Sequence, residues 1–83
     1  MLGSSITAPK LAFTKGVRFE GEMLYMLLKD GRELGMPIAW SERLVRATPE
    51  QREHWEFIGH GSGVHWPGVD EDISVAGLLG VPD

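Results

Sequence analysis

The sequence has 83 residues, of which 42% are hydrophobic, and carries a formal net charge of −4 at pH 7 from 12 acidic and 8 basic side chains. These values predict one domain rather than a disordered chain, and the acidic balance argues against nucleic-acid binding through a basic surface. Cysteine is absent, which excludes disulfides and thiolate metal sites, and no apolar stretch approaches the roughly 20 residues of a membrane span. We therefore expect a cytoplasmic protein.

The first residues of the chain are mostly small and polar. Such residues cannot bury enough surface to offset the entropy of ordering, so we predict an N-terminal tail over residues 1–9 and a single domain over residues 10–83. No basic region precedes an apolar core in this tail, and a signal peptide is not expected.

A three-stranded meander is predicted next. Residues 17–20 alternate apolar and polar side chains, which is typical of a half-buried strand. Residues 22–29 are apolar on both faces, as in a central strand covered on both sides, although a buried helix also fits this composition. An Asp-Gly turn then favours a hairpin, and a third strand over residues 32–38 is stopped at Pro37, which cannot donate to a sheet.

Two short helices are predicted after the meander. Ser41 is a good N-cap for a helix over residues 41–47. Thr48 is the N-cap of a second helix over residues 49–55, and Gln51 stands three residues later, as a capping box requires.

The last third of the chain contains shorter elements. Strands are predicted over residues 56–58 and 64–66, on either side of a glycine-rich loop. A helix is predicted over residues 73–79, with Asp70 or Asp72 as its N-cap. The whole pattern predicts an α+β fold, a small antiparallel β-sheet (meander) with two or three short helices in a single domain.

The histidines offer one candidate site. His54, His60 and His65 could form a zinc site with Asp70 or Asp72, because zinc accepts imidazole nitrogen and carboxylate oxygen. Their spacing matches no compact metal motif, so we expect neither a metal nor another cofactor.

The sequence lacks the common enzyme motifs. It has no cysteine nucleophile, no Gly-x-Ser-x-Gly elbow and no phosphate-binding loop. A triad of Ser62, His65 and Asp70 can be written, but proximity along the chain is no evidence of triad geometry. We therefore expect a protein without enzymatic activity.

The acidic run Asp70-Glu71-Asp72 has two interpretations. The simpler one is that these acids cap the following helix and oppose the positive end of its dipole. The functional one is an acidic face that speeds association with a basic partner. The aromatic residues are expected in the core or at its edge, with an exposed interface anchor as the alternative; they are Trp40, Trp55, Trp66, Phe19 and Phe57.

A series of short motifs runs through most of the chain. They are Asp30-Gly31-Arg32, Pro37-Ile38-Ala39-Trp40, Arg43-Leu44-Val45-Arg46-Ala47-Thr48, Glu50-Gln51-Arg52, Glu56-Phe57-Ile58-Gly59, His65-Trp66-Pro67, Asp70-Glu71-Asp72-Ile73-Ser74-Val75 and Gly77-Leu78-Leu79. In this order they resemble the bacterial family called domain of unknown function 2442, over residues 17–80. The resemblance implies a small α+β domain with an antiparallel sheet. It also implies a gene beside that of another small domain, as in toxin–antitoxin pairs, and it carries over no catalytic residue.

We expect from these observations a small non-enzymatic protein-interaction module, an antitoxin-like or regulatory partner of a neighbouring-gene product. An acidic and aromatic surface would cover a basic protein partner. Trp66, Asp70, Glu71 and Asp72 are the predicted partner-binding residues, because they cluster beside a turn, where side chains are exposed. A homo-oligomer is also compatible with the sequence.

Two alternatives stay open at this point. One is a phage- or plasmid-borne inhibitor whose acidic surface mimics nucleic acid and blocks a nucleic-acid-processing complex. The other is a metal-dependent enzyme built around His60, His65 and Asp70.

Overall fold

The computed structural model describes residues 13–79, in which two small sheets and three short α-helices pack around one core. The elements are β1 (Thr14–Glu20), β2 (Met23–Leu28), β3 (Glu33–Pro37), a 3₁₀ helix (Ile38–Trp40), α1 (Glu42–Arg46), α2 (Pro49–Glu53), β4 (Glu56–Ile58), β5 (Gly63–Trp66), β6 (Glu71–Ser74) and α3 (Val75–Leu79). The predicted α+β class is confirmed. The predicted tail over residues 1–9 lies outside the described residues.

The first sheet is the antiparallel meander β1-β2-β3. The hairpin between β2 and β3 forms at Asp30 and Gly31, because Gly31 adopts φ +98° without steric cost and the Asp30 carboxylate accepts a hydrogen bond of 3.0 Å from the Arg32 N–H. The sequence-predicted order of the first three strands is therefore correct. β1 begins three residues before the predicted strand over residues 17–20.

The two faces of β2 differ in burial. The fully buried side chains are Leu24, Met26 and Leu28. On the opposite, half-buried face, Tyr25 lies against Gly35, where an added Cβ would come within 3.0 Å of the ring. The Arg18 guanidinium stacks over that ring at 4.4 Å from its centroid. Within residues 13–79 side chains cover this face only partly, so the prediction of a strand covered on both sides is only half correct.

The second sheet is β4-β5-β6, also antiparallel. β5 is its central strand, and its side chains alternate between the core and the outer face. Val64 and Trp66 point into the core and are fully buried. His65 points outward and lies in register with Glu56 of β4 and Asp72 of β6.

The short helices α1 and α2 begin at the predicted caps. The Ser41 hydroxyl accepts a hydrogen bond from the Leu44 N–H at 3.2 Å. Thr48 and Gln51 form the reciprocal pair of a capping box at the start of α2. Helices this short gain little from propensity, so these caps and the burial of Leu44 hold them.

The C-terminal helix is shorter than predicted, and the prediction of an acidic cap is wrong. Residues 71–74 form β6 because they pair with β5, and α3 starts only at Val75. The Ser74 hydroxyl accepts the Gly77 N–H at 2.9 Å, which is the contact that an N-cap makes. Asp70 and Asp72 therefore do not cap α3.

One core joins the two sheets. It contains Leu24, Met26, Leu28, Ile38, Leu44, Val64, Trp66 and Val75. Thr14 at the start of β1 connects the sheets directly, since its N–H donates to the Gly61 carbonyl at 2.7 Å. The Val75 N–H donates to the Ser62 carbonyl at 2.9 Å and holds α3 on the same loop. None of the helices in residues 13–79 has the length and apolar character that crossing a membrane requires.

The junction between the sheets can be tested at two glycines of one turn. Gly61 has φ +105°, and an added Cβ would lie 2.5 Å from the Thr14 carbonyl oxygen. Gly59 has φ +60°, but its Cβ would make only an ordinary contact at 3.7 Å. We expect Gly59→Ala to lower the free energy of unfolding by roughly 1–2 kcal/mol. Gly61→Ala should cause a larger total loss, roughly 2–3 kcal/mol. Urea denaturation measures both, and equal losses would contradict the proposed close approach.

Candidate functional site

Trp66 is a core residue and not an exposed one. Its side chain is fully buried, and its ring makes an edge contact with Phe19 at a centroid distance of 6.3 Å. The indole N–H donates to the Arg52 carbonyl at 3.0 Å, which satisfies the polar atom in the core. The expectation that Trp66 is exposed beside the turn is therefore wrong, because strand alternation on β5 directs it inward.

Asp70 immediately precedes β6, and Glu71 and Asp72 are the first two residues of that strand; the three are here called the acidic turn. Their environments differ. Asp70 and Asp72 are exposed, and Glu71 is half-buried. Glu71 lies in register with Trp66 and Asp72 lies in register with His65. The alternation of a strand thus sends neighbouring carboxylates to opposite faces of the sheet.

Glu71 joins the acidic turn to α1. Its carboxylate accepts a hydrogen bond from the Ser41 hydroxyl, and it also accepts the Asp72 N–H at 3.0 Å. Ser41 is buried and simultaneously caps α1 through the Leu44 N–H. One hydroxyl therefore connects the helix start to the strand that carries the acids.

Asp70 occupies the left-handed region with φ +55°, which Asp tolerates better than most residues. The Arg43 guanidinium of α1 donates to the Asp70 carbonyl, and it lies 3.7 Å from the Asp70 carboxylate. This second link fixes the acidic turn against α1. The Asp70 carboxylate itself stays almost fully exposed to solvent.

His65 stands in a row of carboxylates on the outer face of the second sheet. Its Nδ1 hydrogen-bonds to the Asp72 carboxylate, and Glu56 lies in register on the other side. The hydrogen bond to Asp72 and the negative charges of Asp72, Glu56 and Asp70 raise the pKa of His65 above its ordinary value, against the smaller opposing effect of burial. The imidazolium form of His65 is therefore more stable here than in an unperturbed histidine.

The metal site and the catalytic triad considered from the sequence are not formed within residues 13–79. No group of three or more His, Cys, Asp or Glu side chains in this range is arranged to hold a metal ion. The Ser62 hydroxyl donates to the Ile58 carbonyl at 3.2 Å, and His65 pairs with Asp72. The candidate triad is therefore not formed between Ser62, His65 and Asp70.

Trp40 is more exposed than Phe57, the other exposed aromatic residue in residues 13–79, and the sequence left both ambiguous between core and interface. Trp40 ends the 3₁₀ helix and is 73% exposed, and Val45 on α1 is 50% exposed. The position of Trp40 immediately before the N-cap Ser41 does not indicate this exposure, because an apolar residue there often packs on the fourth residue of the helix, which is Val45 in α1.

A cleft lies beside the 3₁₀ helix that ends at Trp40. It has a volume of about 250 Å³ and is lined by Gly21, Glu22, Ile38, Ala39, Val45 and Arg52. We call the surface formed by Trp40, Val45 and this cleft the Trp40 face. Arg43 and Val45 lie two positions apart on α1 and so point to different sides of the helix. The acidic turn therefore contacts α1 through Arg43, on the side of the helix away from Val45.

Comparisons with known proteins identify a family and its fold. A family model described as "Protein of unknown function (DUF2442)" matches residues 14–80. A crystal structure of a protein of unknown function from Rhodospirillum rubrum is 26% identical, with a TM-score of 0.70 over 84% of this chain and 88% of that chain. A solution NMR structure of an uncharacterised protein from Chromobacterium violaceum is 28% identical, with a TM-score of 0.71, and the match covers 82% of this chain but 64% of that one, less than two thirds. Among curated proteins no sequence matches.

The His65–Asp72 pair gives a pH-dependent prediction. Because the folded-state pKa of His65 is raised, its contribution to stability is fully present below the ordinary histidine pKa of about 6.5 and is lost as pH rises through the folded-state value. NMR titration of the imidazole should show a lower midpoint in Asp72→Asn than in the wild-type protein. Asp30→Asn, which removes the partner of Arg32 at a distant hairpin, is the matched control and should leave the midpoint unchanged. A midpoint that is equal in Asp72→Asn and wild type would refute the pair.

Proposed function

Because this chain belongs to the family of proteins of unknown function DUF2442, we propose its function from its surface: it is a small, non-enzymatic module that binds a protein partner. The proposed partner-binding region comprises the Trp40 face and the acidic turn, both of which adjoin α1. The partner suggested by the family resemblance is a neighbouring-gene product, which the module would occlude in an antitoxin-like or regulatory role.

The exposure of Trp40 is the observation that carries this proposal. Tryptophan is enriched among the residues that dominate binding energy. The Trp40 indole is 73% exposed, so most of its surface makes no contact that stabilises this small domain. Val45 extends the apolar area on α1. The arginines beside it, Arg43 and Arg46, are the other residue type enriched at such sites.

The contacts of the acidic turn support a non-enzymatic role. Glu71 accepts the Ser41 hydroxyl, Asp72 pairs with His65, and Asp70 faces Arg43. Glu71 is thus engaged in holding the turn, while Asp70 and Asp72 keep exposed edges. In the proposal these edges are the polar rim of the interface and Trp40 is its apolar anchor.

Charge pairing supports an interaction module over a mimic of nucleic acid. Carboxylates that pair with arginine or histidine are distributed over both sheets and α1; they are Glu20, Asp30, Glu33, Glu42, Asp70 and Asp72. A mimic needs a dense array of unpaired negative charge. Pairing instead gives mixed charge, which suits specificity for one protein surface.

Copurification from the native host tests the proposal. We expect Trp40→Ser to reduce capture of the specific partner about 30-fold, because removing an interface tryptophan costs about 2 kcal/mol. The substitution exposes no core, so the free energy of unfolding should change little. Binding of the identified partner is then measured by biolayer interferometry.

Phe57→Ser is the matched control. Phe57 is another exposed aromatic residue, at 46%, but it lies on β4 in an edge contact with Trp55 and not on the Trp40 face. Partner affinity should change less than about threefold in this variant. Equal affinity of Trp40→Ser and wild type, with both folded, would refute the proposed function.

The acidic turn yields a separate kinetic prediction. Asp70→Asn keeps the left-handed backbone accessible, since Asn tolerates it as well as Asp. We expect a slower association rate with a basic partner and a weaker dependence of that rate on salt, with the dissociation rate unchanged, as for a charge at the rim of an interface. Identical salt dependence in both proteins would exclude a steering role for Asp70.

A further inference from the structure

We propose that the cleft of the Trp40 face binds a linear peptide segment of the partner that places an apolar side chain in the cleft and a neighbouring carboxylate on Arg52. The inference rests on the proposed function and specifies the chemistry of the partner segment.

The walls of the cleft are fixed by hydrogen bonds to backbone carbonyls before any partner binds. The Ile38 N–H donates to the Glu22 carbonyl at 2.9 Å and holds the 3₁₀ helix against the turn between β1 and β2. Arg52 Nε donates to the Leu44 carbonyl at 2.9 Å, and its Nη2 lies 3.4 Å from the Val45 carbonyl. A preformed cleft avoids part of the entropic cost of binding.

The size of the cleft selects a side chain over a metabolite. Its volume of about 250 Å³ is below the roughly 300–1,000 Å³ of pockets that enclose small molecules. Ile38, Ala39 and Val45 supply apolar lining. An apolar side chain of a peptide fits this space, and Trp40, which follows the lining residue Ala39 in the chain, is exposed and free to contact adjoining residues of the peptide.

Arg52 gives the cleft its charge preference. Arg18, Arg32, Arg43 and Arg46 each pair with a carboxylate, whereas Arg52 pairs with none of the carboxylates in residues 13–79. A guanidinium has five N–H donors, and carbonyl contacts through Nε and Nη2 leave others available. A carboxylate at the edge of the cleft would complete the hydrogen bonding of this side chain.

Glu22 limits how acidic the segment can be. It also lines the cleft, and its carboxylate pairs with no cation in residues 13–79. A second carboxylate near Glu22 would be repelled, because like charges across an interface are unfavourable. The cleft therefore favours one acidic residue beside an apolar one over a run of acids.

A phage-displayed library of random peptides, selected against the full folded chain, tests this inference. Selected peptides are measured against wild type and the variants Arg52→Gln, Glu22→Gln and Trp40→Ser. We expect an apolar residue with an adjacent Asp or Glu among the selected peptides, and an affinity loss of about tenfold for Arg52→Gln. Glu22→Gln, which breaks no ion pair in residues 13–79, should bind the same peptides about two- to fivefold more tightly.

The variants separate this inference from the proposed function. If peptides lose affinity for Trp40→Ser but carry no acid and bind Arg52→Gln and Glu22→Gln as they bind wild type, the inference is overturned and the proposed function stands. Selection of no peptide also overturns it, since the cleft then recognises no linear segment. Should Arg52→Gln prove unfolded, the response of Glu22→Gln decides the question alone, and an unchanged affinity overturns the inference.

Discussion

The buried indole of Trp66 is the contact on which the rest of the structure depends. It belongs to β5, packs on Phe19 of the first sheet and donates to the Arg52 carbonyl at the end of α2. A buried N–H without an acceptor costs about 1–3 kcal/mol, so the position of α2 is tied to this ring. Arg52 is thereby placed where its side chain reaches the carbonyls of α1 and the cleft. A single core residue thus determines one wall of the candidate binding face.

The pairing of β6 with β5 directs adjacent acidic side chains to different hydrogen-bond partners. Glu71 turns toward the core side and meets Ser41, whereas Asp72 turns outward and meets His65. On a helix N-terminus both would have faced the same backbone amides. Because Ser41 also caps α1, the strand and the helix hold each other in place. Trp40 immediately precedes Ser41, so this link lies next to the Trp40 face in the chain.

Much of the fold could be predicted from local signals, and the failures have one physical cause. The Asp30–Gly31 hairpin and the capping box at Thr48 are written in neighbouring residues, so sequence reasoning found both. Acids before an apolar run fit a helix cap as well as a strand, and only pairing with β5 decides between them. Likewise, nothing local reveals that Trp66 faces the core while Trp40 faces solvent, because that depends on which side of each element the other sheet lies.

The residues that hold the fold and the residues offered to a partner are largely separate sets in this molecule. Trp66, Ser41 and Thr14 maintain the architecture, and Trp40 contributes little to it. TM-scores near 0.7 with two proteins of unknown function therefore report on the first set. A shared fold does not by itself imply a shared partner. In the proposed function the partner is selected by the indole, the cleft and the charges around α1, and these can differ between relatives while the two sheets remain the same.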